Sequence, residues 1–144
     1  MQQKSFAAKP GDIARPYYII DAQNKILGKV AVKAADILRG KNKATFSPNV
    51  DTGGFVIVIN ADKVVVSGTK LKDKWYMRYS GYPSGFRIVT LDNMLKNRPK
   101  TAIKLAVHGM IPHGRLGSRI RTKLKIYSGD KHPHQAQKPI PVEV

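Results

Sequence analysis

Five consecutive residues, Phe55-Val56-Ile57-Val58-Ile59, are apolar without interruption, and four of them are β-branched. A strand with one wet face would alternate polar and apolar residues. The run therefore predicts a strand covered on both faces, as in a parallel or mixed sheet flanked by other layers. Two earlier segments fit that plan. Tyr17-Tyr18-Ile19-Ile20 ends at Asp21 and the turn-prone Ala22-Gln23-Asn24, which reads as a buried strand. From Leu27 onward, Leu27, Val30, Ala31, Ala34 and Leu38 recur at helical spacing, with Lys25, Lys29, Lys33 and Asp36 on the other side and Gly40 as a stop. Strand, helix, loop and strand in this order predict an α/β sheet, with later helices covering its open face.

Residues 41–54 contain Pro48, Asn49, Asp51 and the pair Gly53-Gly54 and show no periodicity, so they read as a long loop of the kind that carries function. Further on, Lys74, Tyr76 and Arg78 alternate with Trp75, Met77 and Tyr79, which places two cations on one face of a strand. A turn at Gly81, Pro83, Ser84 and Gly85 leads to Phe86-Arg87-Ile88-Val89, and the two strands either pair or flank an extended loop. Thr90 is an N-cap candidate with Asp92 in the first helical turn, and Pro99 suits the first turn of the next helix, striped by Ile103, Ala106, Val107 and Met110. Gly109, Pro112 and Gly114 interrupt it. Leu116, Ile120 and Leu124, at i, i+4 and i+8, then predict a third helix surrounded by Arg115, Arg119, Arg121 and Lys123. Lys125-Ile126-Tyr127 reads as a last short strand, and the proline-marked remainder reads as a tail. The expected organisation is an N-terminal extension (1–16), one α/β domain (17–127) and a C-terminal tail (128–144).

Charge points to the partner. Of 26 Lys and Arg against nine acids, ten fall between Lys96 and Lys131, where the only acid is Asp130, so this stretch carries +9 of a formal +17. Such crowding is self-repulsive and is relieved by a polyanion, which predicts nucleic acid as the partner. Four of the ten are arginines, whose planar fork matches phosphate with two parallel hydrogen bonds. The absence of cysteine removes disulfides, thiolate zinc sites and thiol catalysis together and suggests a reducing, intracellular setting. Residues 1–11 hold no continuous apolar stretch, and the longest apolar runs are too short to span a bilayer, so neither an export signal nor a membrane anchor is expected.

Enzymatic motifs fail on inspection. The glycines of Gly109 to Gly114 have phosphate-loop spacing, but Arg115 and Leu116 stand where Lys and Ser or Thr would hold phosphate and magnesium, and Pro112 removes one backbone donor. No glycine fingerprint follows the first strand, which argues against dinucleotide binding. His132-Pro133-His134 has a single carboxylate nearby, Asp130, and reads as solvated imidazoles or phosphate donors, not metal ligands. Eight Asp and one Glu are scattered singly, which suits turns and caps better than acid–base catalysis. Asp51, before Thr52 and two glycines, is expected to close its loop through local N–H bonds or to pair with a neighbouring arginine. No helix-turn-helix, zinc-finger or basic-zipper pattern is visible, nor an RNP-type strand or GXXG loop.

Several blocks in order give the chain a more specific likeness: Leu38-Arg39-Gly40-Lys41-Asn42-Lys43, Val50-Asp51-Thr52-Gly53, Val58-Ile59-Asn60-Ala61-Asp62-Lys63, Val107-His108-Gly109-Met110-Ile111-Pro112, Leu116-Gly117, Lys123-Leu124-Lys125-Ile126-Tyr127-Ser128-Gly129 and His132-Pro133-His134. From about Tyr17 to Pro139 the chain resembles the L13 family of large-subunit ribosomal proteins, in its bacterial or organellar form. Lys29 stands where the family often has Arg, and Gly54 where an acid is usual. The resemblance implies a three-layer α/β/α domain with a mainly parallel sheet and an early-assembling scaffold role on large-subunit (23S-type) rRNA. It also implies neighbouring ribosomal proteins as partners and no enzymatic activity, cofactor, metal or small-molecule substrate. The alternative is a free regulatory RNA-binding protein. Expected phosphate or sugar contacts are Arg39, Lys41 and Lys43 at the first loop, Lys74 and Arg78 on the strand face, and Arg115, Arg119, Arg121 and Lys123 on the terminal helix, with His113 and His134 as further candidates.

Overall fold

The computed structural model describes residues 8, 9 and 13–144, so most of the expected N-terminal extension lies outside the described residues. Strand β1 (Tyr17–Asp21) is followed by helix α1 (Leu27–Arg39) and strand β2 (Phe55–Ile59). Next come a single helical turn α2 (Lys70–Asp73), strands β3 (Trp75–Tyr79) and β4 (Phe86–Thr90), and helices α3 (Leu91–Asn97), α4 (Pro99–Met110) and α5 (Arg115–Thr122). Strands β5 (Leu124–Ile126) and β6 (Ile140–Val142) complete the chain. The main sheet has the order β5-β2-β1-β6, and every pairing in it is parallel. A separate antiparallel pair, β3 with β4, stands beside it.

The unbroken apolar run is explained by its place: β2 has a neighbour on each side, and Val56, Ile57 and Val58 are fully buried. Val56 and Val58 join Ile20 in one core with Val30, Ala34 and Leu38 of α1 and Ile103 and Val107 of α4. The buried alanines of α1, with almost no side-chain bulk, let α1 and α4 pack closely over the sheet. On the opposite face the Tyr17 and Phe55 rings stack 4.4 Å apart, and His134 of the C-terminal segment lies beside Tyr17. Helix α1 ends where expected: Gly40 adopts φ 78°, and its N–H donates to the carbonyls of Asp36 and Ile37, a conformation that a side chain at this position would strain. Thr90 caps α3 by accepting from the Asn93 N–H, and Pro99 occupies the first turn of α4.

Two segments differ from the sequence reading. The third helix stops at Thr122, and Leu124 belongs to β5, where it pairs with Val56. Leu124 reaches the same core from a strand that it would have reached from a helix, which is why its i+8 spacing misled. The expected tail also returns to the sheet: Ile140–Val142 pairs with Tyr18–Ile20. Pro141 is tolerated there because β6 is an edge strand and needs no donor on its outer side. The strands β3 and β4 do pair, over five residues each, but Trp75, Met77, Tyr79, Phe86 and Ile88 remain exposed. Among the described residues, no helix is long and apolar enough to cross a membrane.

Candidate nucleic-acid interface

The long loop after α1 is pinned from inside. Thr52 is fully buried, and its hydroxyl donates to the Arg39 carbonyl at 3.4 Å. Lys123, at the end of α5, sends its ammonium beneath the loop, where it donates to the Asp51 carboxylate, to the Gly53 carbonyl at 3.2 Å and to the Leu38 carbonyl at 3.4 Å. Burial holds the Lys123 ammonium below its usual range, with the Asp51 partner opposing that shift. This corrects two expectations. Lys123 is a buried strut and not a phosphate contact, because all three of its donors face protein oxygens; Asp51 pairs with that lysine and not with an arginine. Lys43 is partly diverted in the same way, donating to the Ala14 carbonyl at 2.8 Å and the Thr52 carbonyl at 3.0 Å, and burial, with Arg15 nearby, lowers its pKa.

What these struts support is a cleft. Arg39 from the end of α1, Phe46, Ser47 and Pro48 from the loop, His113 and Gly114 from the turn before α5, and Arg115 at the start of α5 enclose about 260 Å³. Among the described residues, no carboxylate lines it. The turn is held against α5 by Gly117, where a Cβ would collide with the Pro112 carbonyl. His113 Nδ1 lies 2.9 Å from Arg121 Nη2. A guanidinium only donates, so Nδ1 is the acceptor and the ring hydrogen sits on Nε2. His108, on the last turn of α4, is held below its usual pKa by burial first and then by the charges of Arg121 and Lys104.

The remaining expected contacts are dispersed. Lys41 is exposed just beyond α1, and Arg115 and Arg119 are exposed on α5, whereas Arg121 is half-buried beneath His113. Lys74 and Arg78 are exposed on the antiparallel pair, outside the cleft lining, with the Lys74 ammonium 5.4 Å from the Tyr76 ring centroid. His134 is half-buried and hydrogen-bonds the Tyr127 hydroxyl through Nε2 at 2.8 Å, which ties the C-terminal segment to β5. Two features escaped the sequence reading. Phe46 belongs to no periodic pattern, although a lone aromatic in a polar, basic loop is itself a signal. Lys100, Lys104 and Lys125 line a second groove beside β5; the i, i+4 spacing of the first two was the available clue.

Comparison with known proteins adds a family match. The model of the family described as "Ribosomal protein L13" matches residues 15–133. The chain is 56% identical over 139 residues to a large ribosomal subunit protein uL13 of Pelotomaculum thermopropionicum, covering 96% of each chain. It is 50% identical over 141 residues to the protein of that name from Symbiobacterium thermophilum, covering 98% of this chain and 99% of the relative. With that from Streptomyces avermitilis it shares 52% over 141 residues, covering 98% and 96%.

Proposed function

The chain belongs to the ribosomal protein L13 family, whose members are structural components of the large ribosomal subunit and not enzymes, and on that premise we propose that its basic surfaces bind and stabilise large-subunit rRNA as the subunit assembles. The observation that carries this reading is the cleft, free of acids among the described residues, where Arg39 meets His113 and Arg115 from far along the sequence, with Lys41 and Arg119 exposed nearby. A solvated lysine face would explain isolated cations. It does not explain arginines from two elements held around one cavity by a buried ion pair. Lys74 and Arg78 form a second contact surface on the β3–β4 pair, and neighbouring ribosomal proteins cover part of the rest.

The test is binding of the purified protein to bacterial large-subunit rRNA, with excess tRNA as competitor, between about 0.1 and 0.4 M salt, the range over which non-specific phosphate contacts fade. Binding to rRNA that survives competitor and salt is the expected result. Equal loss of both RNAs across the range would reduce the interaction to bulk charge and overturn the reading.

A further inference from the structure

We infer that the cleft between the residue 46–48 loop and the turn before α5 receives a single unpaired nucleotide of the bound RNA, its base laid against Phe46 and its phosphate held between Arg39 and Arg115. The inference deepens the rRNA-binding reading and rests on it. Three properties of the cleft carry it.

The first is size. About 260 Å³ falls just under the roughly 300–1,000 Å³ of sites that engulf a drug-sized molecule, so the cleft admits one nucleotide unit but neither a stacked run nor the edge of a duplex. The second is its mixed chemistry. A site for phosphate alone needs only donors, yet the apolar residues Phe46, Pro48 and Leu116 line this one together with Arg39 and Arg115. Phe46 is 37% exposed, so its ring is offered to an incoming group and not consumed by the core. A flat, weakly polar base joined to an anion has that same division, and every base has a face to stack. The third is a fixed donor. Arg121 occupies His113 Nδ1, which leaves Nε2–H as the donor that His113 can offer, and Ser47 adds a hydroxyl; both suit a base edge or a ribose 2′-hydroxyl. Unpaired bases splayed out of RNA helices are what sequence-selective RNA sites take up, because a paired base hides its edges and faces.

The deciding variants are Phe46→Leu, which keeps the wall apolar but removes the π face, and Arg39→Gln with Arg115→Gln. Each is measured for affinity to large-subunit rRNA over tRNA competitor as a function of salt. Phe46→Leu is expected to weaken binding about 5- to 150-fold with the salt slope unchanged, since stacking is lost and no phosphate contact with it. The double arginine variant is expected to flatten the slope. If Phe46→Leu binds within twofold of the parent while the arginine variant is weakened, the cleft holds a phosphate only and the nucleotide inference is overturned, with the rRNA reading intact. If the parent shows no preference for large-subunit rRNA, the rRNA reading falls and takes the inference with it. Should Phe46→Leu fail to fold, Phe46→Trp in a Trp75→Phe background supplies a second readout: stacking predicts quenched indole emission when rRNA binds, and unchanged emission with bound rRNA overturns the inference.

Discussion

At the scale of the residue, the sign of a side chain's charge says little until its depth is known. Lys123 was one of four cations around a terminal helix in the sequence, yet its side chain is 6% exposed and serves three protein oxygens. Lys123→Met therefore leaves the Asp51 carboxylate without its partner and is expected to cost about 3 kcal/mol in urea unfolding, whereas Lys123→Met with Asp51→Asn should recover part of that loss because no uncompensated charge remains. Asp21 illustrates a milder case at the surface. Its carboxylate is held below the ordinary aspartate value of 3.8 chiefly by the Asn60 amide, which donates at 2.8 Å, and next by the Gln23 backbone N–H. The native state thus binds fewer protons than the unfolded chain just below that value. The stabilisation is complete above pH 3.8 and is lost as pH falls through the lower native pKa. Asn60 sits at φ 55°, so Asn60→Gly removes the amide without straining the backbone. Its unfolding free energy should fall less steeply than the parent's on acidification below about pH 4.

At the scale of the element, α5 is the piece whose placement turns a charge cluster into a surface. Ile120 and Gly117 face inward, and the tight seat of Gly117 against Pro112 sets the direction in which Arg115 and Arg119 leave the helix. If both are phosphate contacts, Arg115→Gln with Arg119→Gln should reduce the magnitude of the log affinity against log salt slope by about two on duplex RNA elements, with little change in melting temperature because both side chains are exposed. An unchanged slope would remove α5 from the interface. The sequence made the helix and its stripe visible because Leu116 and Ile120 repeat at helical spacing. It could not show where the helix ends, since Leu124 meets the same core from a strand and Lys123 looks like any exposed basic neighbour until the Asp51 loop is folded over it.

At the scale of the whole molecule, the fold is closed by its own C-terminus. Strand β6 covers one edge of β1, Val142 and Val144 pack against the main core, and the Lys25 ammonium donates to the Val144 carbonyl oxygen at 2.9 Å. Deleting residues 139–144 should cost about 2 kcal/mol in urea unfolding from lost apolar burial. It also bares the β1 edge, so the truncated chain is expected to self-associate in sedimentation experiments where the full chain does not. Neither effect follows from a solvated tail, which is how Pro139 and Pro141 made this segment read. By itself the sequence determined the α/β class, the buried central strand, the caps at Gly40 and Thr90, the helix start at Pro99 and the strong excess of positive charge. Each of these is set by local spacing, backbone preference or net charge, which act within a few residues or over the chain as a sum. Only the tertiary structure decided which cations face solvent, which strand lies at each edge and that Arg39, Phe46 and Arg115 share one cleft. Those outcomes depend on contacts between residues far apart in the chain, such as Lys123 with the Leu38 carbonyl 85 positions away, and no local pattern encodes them.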